Sequence, residues 1–247
     1  MPAGAVQAVT AVFAHRGCTE GFVENTLEAF AEAGRQGADG VELDVRLTAD
    51  RALAVHHDAE IPGLGPLSAL RVSDLPRYVP LLGDVLAACE GMVVNVEIKN
   101  APHDPGFDPT EAVAGLVATA IDEAGWTRRV VVSSFQASTL LAVRAADGRL
   151  ALGALWGFAD DPGSSLRAAA EAGFSAVHPF VSVVTPELVE GAHELGLAVN
   201  VWTVNAPADL RAMVALGADA VITDRLREAM VAVRAPGATP AGEGVAP

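Results

Sequence analysis

Cysteine is nearly missing from this chain: Cys18 and Cys89 are the only two in 247 residues. Two cannot build a framework of bridges, and their separation fits no metal-ligand spacing, so each reads as a buried or incidental thiol. Aromatic side chains are scarce as well, at 5%, and no aromatic or basic cluster is evident that would seat the protein on lipid. Basic residues are outnumbered: 16 Lys and Arg against 31 Asp and Glu leave a formal net charge of −15. Nothing here resembles the basic footprint of a nucleic-acid partner. Anionic membrane surfaces are disfavoured too, and no stable membrane association is expected. The charge does not exclude a phosphorylated small molecule, because a bound cation and a few local Arg or Lys residues set the field inside a pocket. No apolar run reaches the roughly 18 residues of a membrane span, and no basic or long apolar segment precedes Val9 as a leader would. A soluble, cytoplasmic protein is the expectation. A dinucleotide fingerprint is also missing, since Gly17 and Gly21 are not in a G-x-G-x-x-G arrangement.

Hydrophobic residues, by contrast, make up 51%, and they fall into β-rich runs that alternate with helical patterns along the chain. Strands are expected at 9–14, 40–47, 93–99, 129–133, 151–156, 176–179, 198–203 and 220–223. Helices are expected at 24–36, 81–89, 110–124, 137–146, 164–172, 186–195, 207–216 and from about 225 onward. Thr110 is placed to cap the third helix. Segment 52–56 reads as a local return beyond the second strand, and 58–80 as a loop holding one short helix at 67–70. Unbroken alternation of strand and helix predicts an α/β fold, a (β/α)8 TIM barrel with a short insertion after strand 2. An open doubly wound sheet is the alternative. The barrel is expected to form one domain over 1–233, followed by a disordered C-terminal tail at 234–247, rich in Pro, Gly and Ala.

The chemistry concentrates in two of these strands. In 39–48, Val41, Leu43, Val45 and Leu47 alternate with Glu42 and Asp44. The two carboxylates therefore share the opposite face, about 6–7 Å apart along the backbone. Segment 93–99 repeats the design and aims Asn95, Glu97 and Lys99 in the same way. Three acidic oxygen donors from two strands suit one hard divalent cation, Ca2+ or Mg2+. His15, Arg16, Ser133, Trp156, His178, Trp202 and Asp224 also fall at C-terminal strand ends, the rim where barrels of this class build their sites.

Read together, the motifs carry a family resemblance. His15-Arg16-Gly17, Glu24-Asn25-Thr26, Glu42-Leu43-Asp44, Thr48-Ala49-Asp50, His57-Asp58, Glu97-Ile98-Lys99, Ser134-Phe135, Trp202-Thr203-Val204-Asn205 and Thr223-Asp224 follow one another as in the glycerophosphodiester phosphodiesterase family. The likeness runs from about residue 12 to 226. It implies a barrel enzyme that uses a divalent cation to hydrolyse small glycerophosphodiesters to sn-glycerol 3-phosphate and an alcohol. By that resemblance His15 and His57 match an acid–base pair, and Glu42, Asp44 and Glu97 match metal ligands. Arg16 and Lys99 match phosphate-contacting cations, and Trp202 an aromatic wall beside the substrate. Two departures stand out: Val23 replaces a usual proline, and 59–66 lacks the family's usual arginine-and-threonine phrase and glycine turn. A phosphatidylinositol-phospholipase-C-like cyclising lyase and a non-catalytic phosphodiester-binding protein are the alternative functions.

Several of these residues also have plain structural readings. Lys99 could serve only as a partner of Glu97, and Trp202 could be core packing. His178 could line the pocket or be a satisfied core histidine. Asp224 is expected to cap the last helix; Glu24 and Asn25 have the same reading at the first, beside a hydrogen bond toward the site. In an extended segment His56 points away from His57, as a bystander. His103 and His193 are expected at the surface.

Overall fold

A computed structural model of the protein describes residues 9–157 and 162–234. Eight parallel strands form a closed barrel, and a helix follows each of them. The strands are β1 (Ala11–His15), β2 (Gly40–Leu47), β3 (Val93–Ile98), β4 (Val130–Ser134), β5 (Ala151–Trp156), β6 (Ala176–Pro179), β7 (Ala198–Val201) and β8 (Ala220–Thr223). The helices are α1 (Leu27–Arg35), α2 (Leu82–Ala88), α3 (Ala112–Glu123), α4 (Ala137–Ala146), α5 (Pro162–Glu171), α6 (Pro186–Glu194), α7 (Pro207–Leu216) and α8 (Leu226–Arg234). Closure is carried by β1, which pairs with β2 through Phe13↔Gly40 and with β8 through Ala11↔Ala220. The expected barrel is therefore present, and the open sheet is excluded. The expected tail lies outside the described residues except for Arg234.

Strand alternation divides the interior into two regions. Val12, Val41, Leu43, Val45, Val94, Val96, Val132, Val177 and Val199 face outward and pack in one cluster with helix residues such as Phe30, Leu86, Val117, Leu140 and Leu210. The inward positions of the same strands line the barrel. Phe13, Ala220 and Ile222, with Val93 and Trp202 against them, form a separate apolar cluster. Glu42, Asp44, Asn95, Glu97, Ser133 and His178 are buried polar residues.

The excursion after β2 is larger than its sequence suggests. Leu53–Val55 pairs antiparallel with β2, as the local return implied. Beyond it, Glu60–Ile61 and Gly65–Pro66 form a small hairpin, and 3-10 turns lie at Leu67–Ala69 and Val72–Asp74. Two-residue strands are too short to register as alternation, which is why only one helical turn was legible there. Ala54, Ile61, Leu67 and Val79 give the excursion its own small core.

Thr110 does not cap α3. The Asp108 carboxylate accepts from the backbone N–H groups of Thr110 and Ala112, both at 2.9 Å, and from the Thr110 hydroxyl at 2.6 Å. A charged acceptor at a helix N-terminus outcompetes a neutral hydroxyl, so the helix starts at Ala112.

Candidate active site

His15 ends β1, and strand register sets its neighbours: it pairs with Glu42 of β2, while Ala14 pairs with Thr223 of β8. The chain then turns sharply through Arg16 and Gly17, at φ 56° and 84°. A Cβ on Gly17 would stand 2.9 Å from Ala29, so only glycine lets this turn press against α1. The turn aims the Arg16 backbone N–H at Glu42 Oε2, 3.1 Å away. The Arg16 guanidinium is tethered by Glu24 through Nη1 at 3.0 Å and lies with Nε 3.2 Å from Asp44 Oδ2. Asn25, also left-handed at φ 56°, donates its side-chain amide to Asp44 Oδ2 at 2.9 Å. Asn25 is thus buried against the site, and Thr26 caps α1 by accepting from the Ala29 N–H at 3.3 Å.

Glu42, Asp44 and Glu97 meet at this mouth, each with a carboxylate oxygen within 4.8 Å of the others. Register Asp44↔Glu97 across β2 and β3 brings them together. Lys99 stands between two of them, its Nζ 3.1 Å from Asp44 Oδ1 and 2.5 Å from Glu97 Oε1. The Lys99 ammonium thus bridges the two carboxylates, with a charge-assisted hydrogen bond to Glu97.

The electrostatics are uneven. Burial pushes the Glu42 carboxyl well above the ordinary range and the charge of Asp44 adds to this, with His15 and Lys99 opposing. Burial acts on Asp44 in the same sense, but Lys99 and Arg16 outweigh it and hold that carboxyl low. Burial also raises Glu97 despite Lys99. Three buried carboxyl groups face two fixed cations, and Glu42 is the one whose charged form is least favoured without a further cation. Three hard oxygen donors, one of them needing a further positive charge to ionise, fit one divalent cation.

The histidines flank this centre. His15 Nε2 lies 3.8 Å from Glu42 Oε2, and its Nδ1 is 2.7 Å from Asp224 Oδ1. Burial lowers its pKa, but Asp224 and Glu42 together raise it above the ordinary value. His57 is carried by the excursion, with Nδ1 2.8 Å from Asp58 Oδ1 and its carbonyl accepting from Arg46 Nε at 2.8 Å. Arg46 is itself anchored on Asp104 at 2.7 Å. Burial holds the His57 pKa below the ordinary value, opposed by the charge of Asp44. His56 turns elsewhere, its Nδ1 3.0 Å from the Asp58 carbonyl.

Comparison with known proteins gives this constellation its context. The model of the glycerophosphoryl diester phosphodiesterase family matches residues 15–228. The chain belongs to that family. A glycerophosphodiester phosphodiesterase of Caldanaerobacter subterraneus subsp. tengcongensis is 32% identical over 237 residues, 87% of this chain and 94% of the relative. A probable glycerophosphodiester phosphodiesterase 2 of Mycobacterium tuberculosis is 32% identical, covering 89% of this chain and 90% of its own. Among solved structures, a glycerophosphodiester phosphodiesterase from Parabacteroides distasonis superposes with a TM-score of 0.81 at 26% identity, over 92% of this chain and 98% of that one. An Oleispira antarctica phosphodiesterase, solved with the product sn-glycerol-3-phosphate, shares the fold with a TM-score of 0.82 at 21% identity, over 91% and 97% of the two chains. The protein is accordingly an enzyme, a glycerophosphodiester phosphodiesterase.

In this phosphodiesterase His15, Arg16, Glu42, Asp44, Glu97 and Lys99 are joined by direct contacts, and His57 lies near enough for its charge to act on Asp44. Trp202 is half-buried, edge-on to Phe135 and Phe180 at centroid distances of 5.6 and 5.1 Å, with its indole N–H donating to the His178 carbonyl at 2.7 Å. His178 itself is a core histidine: it is fully enclosed, and its Nε2 is 3.0 Å from Asn200 Nδ2. His103 is well exposed, and His193 is a surface residue bonded to Asp219 at 2.9 Å. Asp224 corrects its sequence reading. Its carboxylate serves no helix end; it bonds His15 and accepts from Asn205 Nδ2 at 2.7 Å. Barrel closure was the overlooked signal, since a residue just past β8 must lie beside the end of β1. No helix among the described residues is long and apolar enough to cross a membrane.

Proposed function

We propose that the barrel mouth binds the phosphodiester group on a divalent cation, Ca2+ or Mg2+, held by Glu42, Asp44 and Glu97, and cleaves it with His15 and His57 as the proton-transfer pair. The observation that carries this reading is the buried acidic triad, with one of the two flanking histidines 3.8 Å from its Glu42. When bound, the cation neutralises the phosphodiester monoanion and stabilises the charge that builds in the transition state. Arg16 and Lys99 add positive potential at the non-bridging oxygens, Arg16 through a planar fork and Lys99 as a compact point charge. His15 and His57 face the phosphoryl group from different elements, one at the end of β1 and one on the excursion after β2. One takes the proton of the nucleophile and the other returns a proton to the departing alkoxide, a contribution typically of about 10²–10⁴-fold in rate. The Trp202 ring, braced by Phe135 and Phe180, forms the apolar wall against the glycerol backbone.

The products are sn-glycerol 3-phosphate and an alcohol, and small water-soluble diesters are the substrates this reading favours. The test is a coupled assay of glycerol 3-phosphate release from a panel of glycerophosphodiesters, with and without chelator. Release should stop on chelation and return with Mg2+ or Ca2+. Full activity in chelator would refute the cation. Phosphorus NMR of early time points separates direct hydrolysis from a cyclic phosphate formed by the glycerol hydroxyl.

A further inference from the structure

We propose that Asp224, locked by Asn205, is a positioning residue that fixes the tautomer and aim of His15. The inference rests on the reading of His15 as a proton-transfer group. It begins with barrel closure: because Ala14 pairs with Thr223, the residues that follow them, His15 at the end of β1 and Asp224 just past β8, stand side by side. Their contact is 2.7 Å, from His15 Nδ1 to Asp224 Oδ1. Asp224 is in turn held from several directions. Its second oxygen accepts from Asn205 Nδ2 at 2.7 Å, and its own backbone N–H donates to Asn205 Oδ1 at 2.9 Å. The Thr223 hydroxyl donates to the same Asn205 oxygen at 3.1 Å. This closed ring of hydrogen bonds between the loop after β7 and the end of β8 tethers the carboxylate, whose side chain is 38% exposed, in one orientation.

An ionised carboxylate only accepts, so the proton of a neutral His15 ring must sit on Nδ1. Nε2 is then the bare nitrogen, and it is the one that faces the acidic centre, 3.8 Å from Glu42 Oε2. Without Asp224 either nitrogen could carry the proton and the ring could turn over. His57 offers a comparison within the same molecule. Its partner Asp58 is the adjacent residue, with a side chain 72% exposed, so that pair has no comparable lock. The two histidines therefore depend unequally on their carboxylates.

Asp224→Asn is the sharpest perturbation, because Asn205 dictates how the new amide sits. Asn205 Nδ2 can donate only to the amide oxygen, which turns the amide NH2 toward His15 Nδ1. That donor forces the ring proton onto Nε2, the wrong nitrogen. In Mg2+-saturated enzyme we expect kcat to fall roughly 10²–10⁴-fold, the contribution of a positioned proton-transfer group, the upper end being the cost of a wrong histidine tautomer in a serine-protease triad. KM and cation affinity should stay within about threefold of the parent, since no substrate or metal contact is lost. Asp224→Glu keeps the acceptor and should recover part of kcat. Asn205→Ala loosens the carboxylate without reversing the tautomer and should cost roughly tenfold, the scale of one charge-assisted hydrogen bond. Asp58→Asn should cost less than Asp224→Asn.

Imidazole nitrogen NMR at alkaline pH supplies the readout that a merely structural role would not move. His15 is assigned by the signals lost in His15→Gln. A bare Nε2 in the parent and a bare Nδ1 in Asp224→Asn support the proposal. An unchanged tautomer in Asp224→Asn overturns it, whatever happens to the rate. So does a kcat within about threefold of the parent in both Asp224→Asn and Asn205→Ala. If Asp224→Asn does not fold, Asn205→Ala decides by its rate. A fully active His15→Gln would instead refute the role of His15 itself, a result distinct from failure of the lock.

Discussion

His178 should make this enzyme acid-sensitive in a way that one substitution removes. The imidazole lies inside the barrel, is 1% exposed, and has its pKa pushed down to about 3 by burial. Its Nε2 faces the Asn200 amide at 3.0 Å, and its Nδ1 has no partner among the described residues. Protonating the ring would set an N–H against an N–H donor and leave a charge in a closed space without a counter-ion. Unfolding releases the ring to a pKa of about 6.5. The folded value is thus depressed, and the unfolded chain binds a proton that the native state refuses. Stability is therefore complete above about pH 6.5 and falls as pH drops toward about 3, with a limiting slope of about 1.4 kcal/mol per pH unit. Between about pH 7.5 and pH 5 the loss from this one group comes to about 2 kcal/mol.

At this chain length 2 kcal/mol corresponds to about 4–8 °C in Tm. The assay is urea and thermal unfolding of the parent and of His178→Gln at both pH values, followed by circular dichroism. Glutamine does not titrate, and its side-chain oxygen can still accept from Asn200. The quantity that matters is the difference between the two pH values, whatever the absolute stability of the variant. The parent should lose about 2 kcal/mol more than the variant on acidification. Parallel losses in the two proteins would refute the reasoning, since every other titrating group is common to both.

Further outcomes follow from the same geometry. Glu42→Gln should weaken cation affinity and activity together; unchanged affinity by titration calorimetry in all three amide variants, at Glu42, Asp44 and Glu97, would refute the metal assignment. Arg16→Lys should reduce kcat/KM by more than roughly tenfold, because the planar fork is lost, and a value within about twofold of the parent would sink that role. His57→Ala should lower kcat by at least roughly 10²-fold while His56→Ala changes it little. A nitrophenyl diester, whose leaving group needs no proton, should rescue whichever of the His15 and His57 variants lacks the acid. Gly153→Ala should destabilise the fold by about 1–3 kcal/mol through overpacking, read as a lower urea midpoint, because the new Cβ would stand 2.3 Å from His178 Nε2.

How much of this was legible beforehand depended on whether the signal was local. Glu42 and Asp44 alternate with Val41, Leu43 and Val45, and that pattern states by itself that the carboxylates share a face. The unbroken order of strand and helix made a barrel the natural reading. Asp224 escaped because a single Asp between a strand and a helix has a local meaning, a cap, that competes with its distant one. Only the pairing of β1 with β8 selects the second. Asn25 had the same ambiguity; its buried amide serves Asp44, and neighbouring Thr26 takes the cap. Near α3 two acceptors stood two residues apart, and the charged one, Asp108, won.

The polar lining of the barrel has an energetic consequence. Asn95 Oδ1, Ser133 Oγ and His178 Nδ1 are buried without a partner among the described residues. Each such group costs about 1–3 kcal/mol. Burying one Val, Leu or Ile side chain contributes about 1.5–3 kcal/mol, so a few residues of the outer cluster offset all three. The strands can carry this load because their two faces are independent. Val94 and Val96 fill the layer under the helices, while Asn95 and Glu97, one residue away, turn into the barrel. Stability therefore comes mainly from the outer face, and the inner face is free to hold charge. Apolar residues at those inner positions would pack well, but they would place a low-dielectric wall against Glu42, whose carboxyl burial already disfavours. The unpaired amide and hydroxyl oxygens are the lesser cost.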